Sequence, residues 1–175
     1  MQLSDALSLI REIPDFPIPG ILFKDITPLL SDAKALSVVT DSLIGESSSY
    51  TQIIGIEARG FILASAMSIR AGKGFVPLRK PGKLPHATIS KSYGLEYGSD
   101  VLQAHVDALT AGEKVIIVDD VLATGGTLIA AIEIARELGA EIVEVVVLLE
   151  ISALDGRKRI QEKFPEITIR SIVVG

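Results

Sequence analysis

Along this chain, runs of branched apolar residues alternate with stretches in which apolar residues recur every three or four positions. Val115-Ile116-Ile117-Val118 is such a run, and its length and branching predict a strand buried on both faces, as in a parallel sheet. The spacing over 128–138 predicts a helix ended by Gly139. Further strands are predicted over 52–57, 74–78, 141–150 and 167–173, and a helix over 61–69 closed at Gly72. Ser31-Asp32 opens a helix that runs through Leu43 and stops at Gly45. Ser4 reads as the cap of a short helix to about Glu12, with Leu3, Leu7 and Ile10 on one face. Pro14, Pro17 and Pro19 end it, and 21–26 reads as a strand or an extended arm. Two strands over 90–97 and 100–105 around Gly98-Ser99 predict an antiparallel flap. The alternation as a whole predicts an α/β fold with a mostly parallel central sheet flanked by helices, with a small hood beside it.

At 175 residues the chain fits one domain, residues 1–175, with a substantial core. The 17 Lys and Arg against 22 Asp and Glu give a net charge of −5, which offers no electrostatic reason to expect nucleic acid or a membrane as partner. With no cysteine there can be no disulfide, thiolate nucleophile or cysteine metal site, and two histidines make a multi-histidine site unattractive. No basic leader precedes an apolar run and no run reaches membrane-spanning length, so a cytoplasmic protein is expected.

The chemistry gathers where the predicted strands end. Asp119 and Asp120 close the 115–118 strand, and adjacent carboxylates suit the C-terminal edge of a sheet, where ligands bind in open α/β folds. Ala123-Thr124-Gly125-Gly126-Thr127 then leads into the helix, so free backbone N–H groups and the positive helix end can converge on one phosphate. Two carboxylates beside that cradle would repel a bare polyphosphate but suit ribose hydroxyls, with a divalent cation nearby. No lysine follows the glycines, so this is not a nucleotide P-loop. A second strand–turn–helix unit carries Glu57-Ala58-Arg59, and an arginine beside a helix N-terminus suits another anion, against the plainer possibility of a surface Arg59–Glu57 pair. Arg79-Lys80-Pro81-Gly82-Lys83-Leu84-Pro85 reads as a mobile cationic lid able to close over a polyphosphate. Arg157, Lys158 and Arg159 read as an exposed basic face.

The 115–127 stretch resembles the phosphoribosyl-pyrophosphate signature of the type I phosphoribosyltransferase family, and the likeness extends over nearly the whole chain. The segment from Phe16 to Leu30, the motif Tyr93-Gly94-Leu95-Glu96-Tyr97-Gly98 and the stretch around Leu149-Glu150 to Gly156-Arg157 are similar to members that act on adenine. That resemblance implies a type I fold with a hood over about 1–30 and a flexible catalytic loop and flap over about 79–106. It implies Mg²⁺-dependent conversion of adenine and phosphoribosyl pyrophosphate to AMP and pyrophosphate, as purine salvage by a homodimer. Asp119, Asp120 and residues 123–127 would hold the ribose and its 5-phosphate. Glu57, Ala58, Arg59, Arg79, Lys80 and Lys83 would meet the pyrophosphate, across a cis peptide between Glu57 and Ala58. Leu22, Phe23, Lys24 and Ile151 would line the base site, Tyr97 would belong to the flap, and Glu96 and Arg59 would be catalytic. The metal would be held mainly by substrate oxygens and water. Two other readings keep the fold: a non-catalytic sensor of the same ligands, disfavoured because no length is spare for a DNA-binding domain, and an enzyme for another purine.

Overall fold

The computed structural model describes residues 1–46, 49–94 and 99–175, with Ser99 given by its backbone. The chain divides into two compact units, Met1–Gly45 and Glu46–Gly175.

In the first unit, helix α1 (Leu3–Leu7) is capped at its start by Asp5, whose Oδ2 accepts the Gln2 N–H at 3.0 Å. It stops well short of Glu12. The residues beyond it form strand β1 (Arg11–Pro14), which pairs antiparallel with β2 (Leu22–Asp25), Arg11 opposite Asp25 and Pro14 opposite Leu22. The helical spacing of Leu3, Leu7 and Ile10 is thus overridden by ladder bonds to a segment further along the chain. Phe16, just past β1, packs edge-on against Phe23 of β2, with ring centroids 5.1 Å apart. A short helix, α2 (Thr27–Ser31), takes Pro28 in its first turn, where the missing N–H costs nothing. Helix α3 (Ala33–Ile44) follows, and its cap Asp32 accepts the amides of Lys34 and Ala35, each at 2.9 Å. Ala6, Ile26, Leu29, Ala35, Val39 and Leu43 are buried in this unit.

The second unit is built on strands β3 (Gln52–Ile56), β4 (Gly74–Leu78), β7 (Lys114–Leu122), β8 (Glu141–Glu150) and β9 (Ile169–Val174). Helix α4 (Arg59–Ala71) joins β3 to β4, α5 (Gly126–Glu137) joins β7 to β8, and α6 (Gly156–Lys163) precedes β9. These strands form a five-stranded sheet in the order β4-β3-β7-β8-β9, parallel throughout. The hairpin β5 (Thr88–Gly94) and β6 (Ser99–His105) stands apart as a two-stranded ribbon. Strands 115–118 and 145–148 are buried completely, the expected consequence of helices on both faces. Ile54, Ile117 and Val147 share a core cluster with Leu128, Ala131 and Ile132 of α5. On the opposite face a Cβ on Gly55 would meet Ala64 of α4 at 2.7 Å, so that glycine sets how closely α4 lies on the sheet.

In this order the chain reverses direction across the sheet between β3 and β7. The crevice beyond the carboxyl ends of the strands at such a switch point is where open α/β sheets bind ligands.

Candidate active site

At the switch point the two central strands differ in length. β3 pairs with β7 only as far as Gly55 opposite Val118, whereas β7 runs on to Leu122 bonded to β8 alone. Asp119 and Asp120 therefore lie inside β7 and do not end it, yet they stand beyond its last pair with β3. Adjacent strand residues face opposite ways. Asp119 lines a cavity of about 150 Å³ with Val121, Leu122, Ala123, Thr124, Gly125, Thr127 and Leu128. Asp120 turns to α4, where its Oδ2 lies 2.6 Å from Arg59 Nη2. Arg59 thus pairs with Asp120 across the switch point.

Both carboxyls are buried, Asp119 at 8% and Asp120 at 5% exposure. Burial, then the neighbouring Asp120 charge, pushes Asp119 well above the ordinary carboxylate range. Burial also raises Asp120, against the opposing pull of Arg59. Asp119 Oδ1 accepts the Asp120 N–H at 2.9 Å. A Cβ on Gly60 would sit 2.8 Å from that same oxygen, so the first turn of α4 approaches Asp119 as closely as a backbone can. A ligand that brings hydroxyl donors or a hydrated cation would supply the partners that the anionic form of this cavity-facing carboxyl lacks.

The cradle has the predicted strand–loop–helix form. Gly125 precedes α5 with φ of 84°, a left-handed conformation that glycine adopts without strain. Gly126 opens the helix, and its missing side chain admits the flap: a Cβ there would meet the Gly94 carbonyl at 2.8 Å. The backbone of β5 is thereby seated on the helix end that would receive an anion. Behind the loop lies Gly156, at the start of α6, where a Cβ would fall 2.1 Å from the Ala123 carbonyl oxygen.

The lid begins where Arg79 exchanges two backbone hydrogen bonds with Gln103 of β6, at 2.9 and 2.8 Å. Its cations are engaged by carboxylates. Glu57 accepts the Lys80 N–H at 2.9 Å and Arg79 Nε at 3.4 Å, and it pairs with Lys83 Nζ. Burial alone would raise the Glu57 carboxyl, but Lys83, the Lys80 amide and Arg79 together hold it at about 2, below its ordinary 4.5. The side chain of Lys80 turns the other way, to the Tyr93 hydroxyl at 2.6 Å and to Asp100, so it joins lid to flap. Glu57 and Ala58 are linked by a cis peptide bond.

The Glu57 contacts define a clasp on the lid. Because its folded value is lowered, its contribution is present above the unfolded value near 4.5 and is lost as pH falls through about 2. Glu57→Gln should therefore speed amide exchange over residues 79–87 about fivefold at neutral pH, the loss of two partly exposed ion pairs. Unchanged exchange by mass spectrometry would show that Glu57 does not hold the lid.

The other predicted site residues lie on further elements of the chain. Leu22, Phe23 and Lys24 lie together on β2 of the first unit, Leu22 exposed and the other two half-buried. Ile151 directly follows β8 in the second unit, half-buried, its N–H donated to the Leu122 carbonyl at 2.9 Å. Glu96 and Tyr97 lie outside the described residues.

In the basic run at 157–159, Lys158 and Arg159 are exposed as expected, and Arg157 is not. Arg157 is half-buried and forks onto Glu150 at 2.8 and 2.5 Å, reaching also the Ile169 carbonyl and Ser171 Oγ. Arg157 in turn holds the Glu150 carboxyl below the usual range. Arg159 Nη1 donates to the Thr124 carbonyl of the cradle at 2.7 Å. Tyr93 and Gly156 fall inside the quoted motifs, but the contacts of Gly156, Arg159, Asp100 and Tyr93 are beyond the reach of local patterning. Only the adjacent pair Asp155-Gly156 carries a turn signal that could have found one of them.

A phosphate cradle and a buried acidic pair at the switch point of a 2-1-3-4-5 parallel sheet, with a cationic lid alongside, define the phosphoribosyltransferase class. Residues 30–174 match the phosphoribosyl transferase domain family. The chain is 51% identical over 157 residues to the adenine phosphoribosyltransferase of Streptomyces coelicolor, covering 89% of this chain and 86% of that one. Its fold matches the crystal structure of adenine phosphoribosyltransferase from Thermoanaerobacter pseudethanolicus with a TM-score of 0.93 and 45% identity, over 99% of this chain and 100% of that one. The APRTase of Giardia lamblia, complexed with 9-deazaadenine, matches with a TM-score of 0.92 and 39% identity, over 100% of this chain and 98% of that one. The chain belongs to the adenine phosphoribosyltransferase family.

Proposed function

We propose that this protein is a purine-salvage enzyme converting adenine and phosphoribosyl pyrophosphate to AMP and pyrophosphate. The observation that carries the reading is the cavity in which Asp119 faces the 123–127 loop, one wall suited to sugar hydroxyls and the other to a phosphate. The base follows from the relatives' names and from the adenine analogue in the Giardia complex.

The reaction displaces pyrophosphate from the sugar C1 by a purine ring nitrogen. Departure of the leaving group runs ahead of bond formation, so positive charge develops on the ribose, as in glycoside cleavage. Anchoring the 5-phosphate in the cradle and the hydroxyls at Asp119, with Asp120 held on Arg59 beside it, fixes C1, and positioning can lower such a barrier by several kcal/mol. The Asp119 carboxylate also stabilises the positive charge growing on the ring. Once hydroxyl donors arrive, Asp119 has partners that favour its anion, which the free site lacks.

Arg59 and the lid cations Arg79, Lys80 and Lys83 are assigned to the pyrophosphate, with Glu57 and Ala58 forming the turn beside it. Leu22, Phe23, Lys24 and Ile151 are assigned to the base. Glu96, in the flap with Tyr97, is assigned the purine ring proton. Closure of lid and flap excludes water, which would compete for the same carbon. Among the described residues no cluster of three or more His, Cys, Asp or Glu could hold a metal alone. A Mg²⁺ carried in on substrate oxygens and water near Asp119 would neutralise the departing pyrophosphate. The same reading places the protein in the cytoplasm as a homodimer.

The test is pyrophosphate release measured with adenine, hypoxanthine, guanine and xanthine, each with and without Mg²⁺. Turnover with adenine and Mg²⁺ only is the expected result. Faster turnover with another base would reassign the substrate, and tight binding of phosphoribosyl pyrophosphate without turnover would make the protein a sensor.

A further inference from the structure

We propose that Arg159 is a positioning residue for the 5-phosphate, acting through the Thr124 carbonyl to set the direction and strength of the amide that opens the cradle; this rests on the function proposed above.

Three observations on α6 support it. Arg157 is locked at the end of the sheet, with both Glu150 oxygens, the Ile169 carbonyl and Ser171 Oγ as partners, so the helix stands on a fixed base. Residues two apart on a helix point in nearly opposite directions. While Arg157 reaches into the sheet, Arg159 reaches the cradle, and its Nη1 donates to Thr124 O at 2.7 Å. At the start of the same helix, Gly156 brings its backbone against the loop, where a Cβ on Gly125 would meet the Gly156 carbonyl at 2.8 Å. The loop is thus held from behind by backbone contact and from one side by a cation.

The consequence follows from peptide geometry. The Thr124–Gly125 bond is trans, so the carbonyl and the Gly125 N–H lie on opposite edges of one rigid plane. Fixing the carbonyl fixes the N–H. A guanidinium on the oxygen also polarises the peptide and makes that N–H a better donor to an anion. Arg159 is exposed and lies in none of the predicted binding motifs.

The experiment is calorimetric titration of the full chain with AMP and, separately, with pyrophosphate, for wild type, Arg159→Ala and Arg159→Lys. Arg159→Ala should weaken AMP about tenfold, the scale of one charge-assisted hydrogen bond, and leave pyrophosphate unchanged. Arg159→Lys, which keeps one charged donor, should recover most of the loss. Equal AMP affinity in wild type and Arg159→Ala, or equal weakening of both ligands, would overturn the inference. Failure of the wild type to bind AMP at all would overturn the proposed function and this inference with it.

Discussion

Gly156→Ala should damage both the stability of the protein and its grip on phosphate. The added methyl would lie 2.1 Å from the Ala123 carbonyl oxygen and 2.9 Å from the Gly125 amide nitrogen, both backbone atoms that no rotamer change can move aside. Relief requires α6 and the loop to part. Forced overpacking of this kind costs about 1–3 kcal/mol, and at this chain length each kcal/mol lowers Tm by roughly 2–4 °C. Parting the two also misaligns the cradle amides, so phosphoribosyl pyrophosphate should bind at least about tenfold more weakly, since sub-ångström misplacement at such a site is expensive. Differential scanning calorimetry and titration with the activated sugar measure the two effects. A variant with wild-type Tm would mean that α6 is free to shift, and the account of the cradle's rear wall would fail.

That wall also illustrates what a sequence can and cannot declare. Branched apolar runs and helical periods are local, so β7, β8, α4 and α5 could be read directly, and so could the cradle between β7 and α5. What the local signal misses is the length of a neighbour. Nothing in Val118-Asp119-Asp120 says that the pairing of β7 with β3 ends at Val118, yet this decides that the carboxylates sit within a strand and still face a crevice. The Leu3, Leu7, Ile10 spacing is equally helical on paper, but Arg11–Pro14 gains a ladder with β2 and the helix ends. Charges behave the same way. The lid's cations were legible, whereas Glu57 and Asp100, lying 22 residues before Arg79 and 20 after Lys80, are partners only the fold brings in. Arg157 looked solvated because Glu150, its buried partner, reads as the last residue of an apolar strand.

Asp119→Asn should move stability and activity in opposite directions. In the wild type, burial and then the Asp120 charge raise the Asp119 carboxyl well above the unfolded value, and Asp120 is raised by burial as well. A carboxyl raised on folding gives its full support below the unfolded value near 4, and that support is lost as pH rises through the folded value. At pH 8 the pair is therefore a burden on the fold. Asparagine removes one charge, keeps an oxygen for the Asp120 N–H, and leaves Asp120 with its Arg59 partner at 2.6 Å. Tm should rise in the variant at pH 8, and the gain should vanish as pH approaches 4. Activity should fall about 10²- to 10³-fold, because the charge facing the reacting sugar is gone and a fixed charge in a dry site is hard to replace. Such opposition marks a residue kept for chemistry at the expense of stability. A variant less stable at pH 8, or one that turns over at the wild-type rate, would show that Asp119 serves the fold and not the sugar.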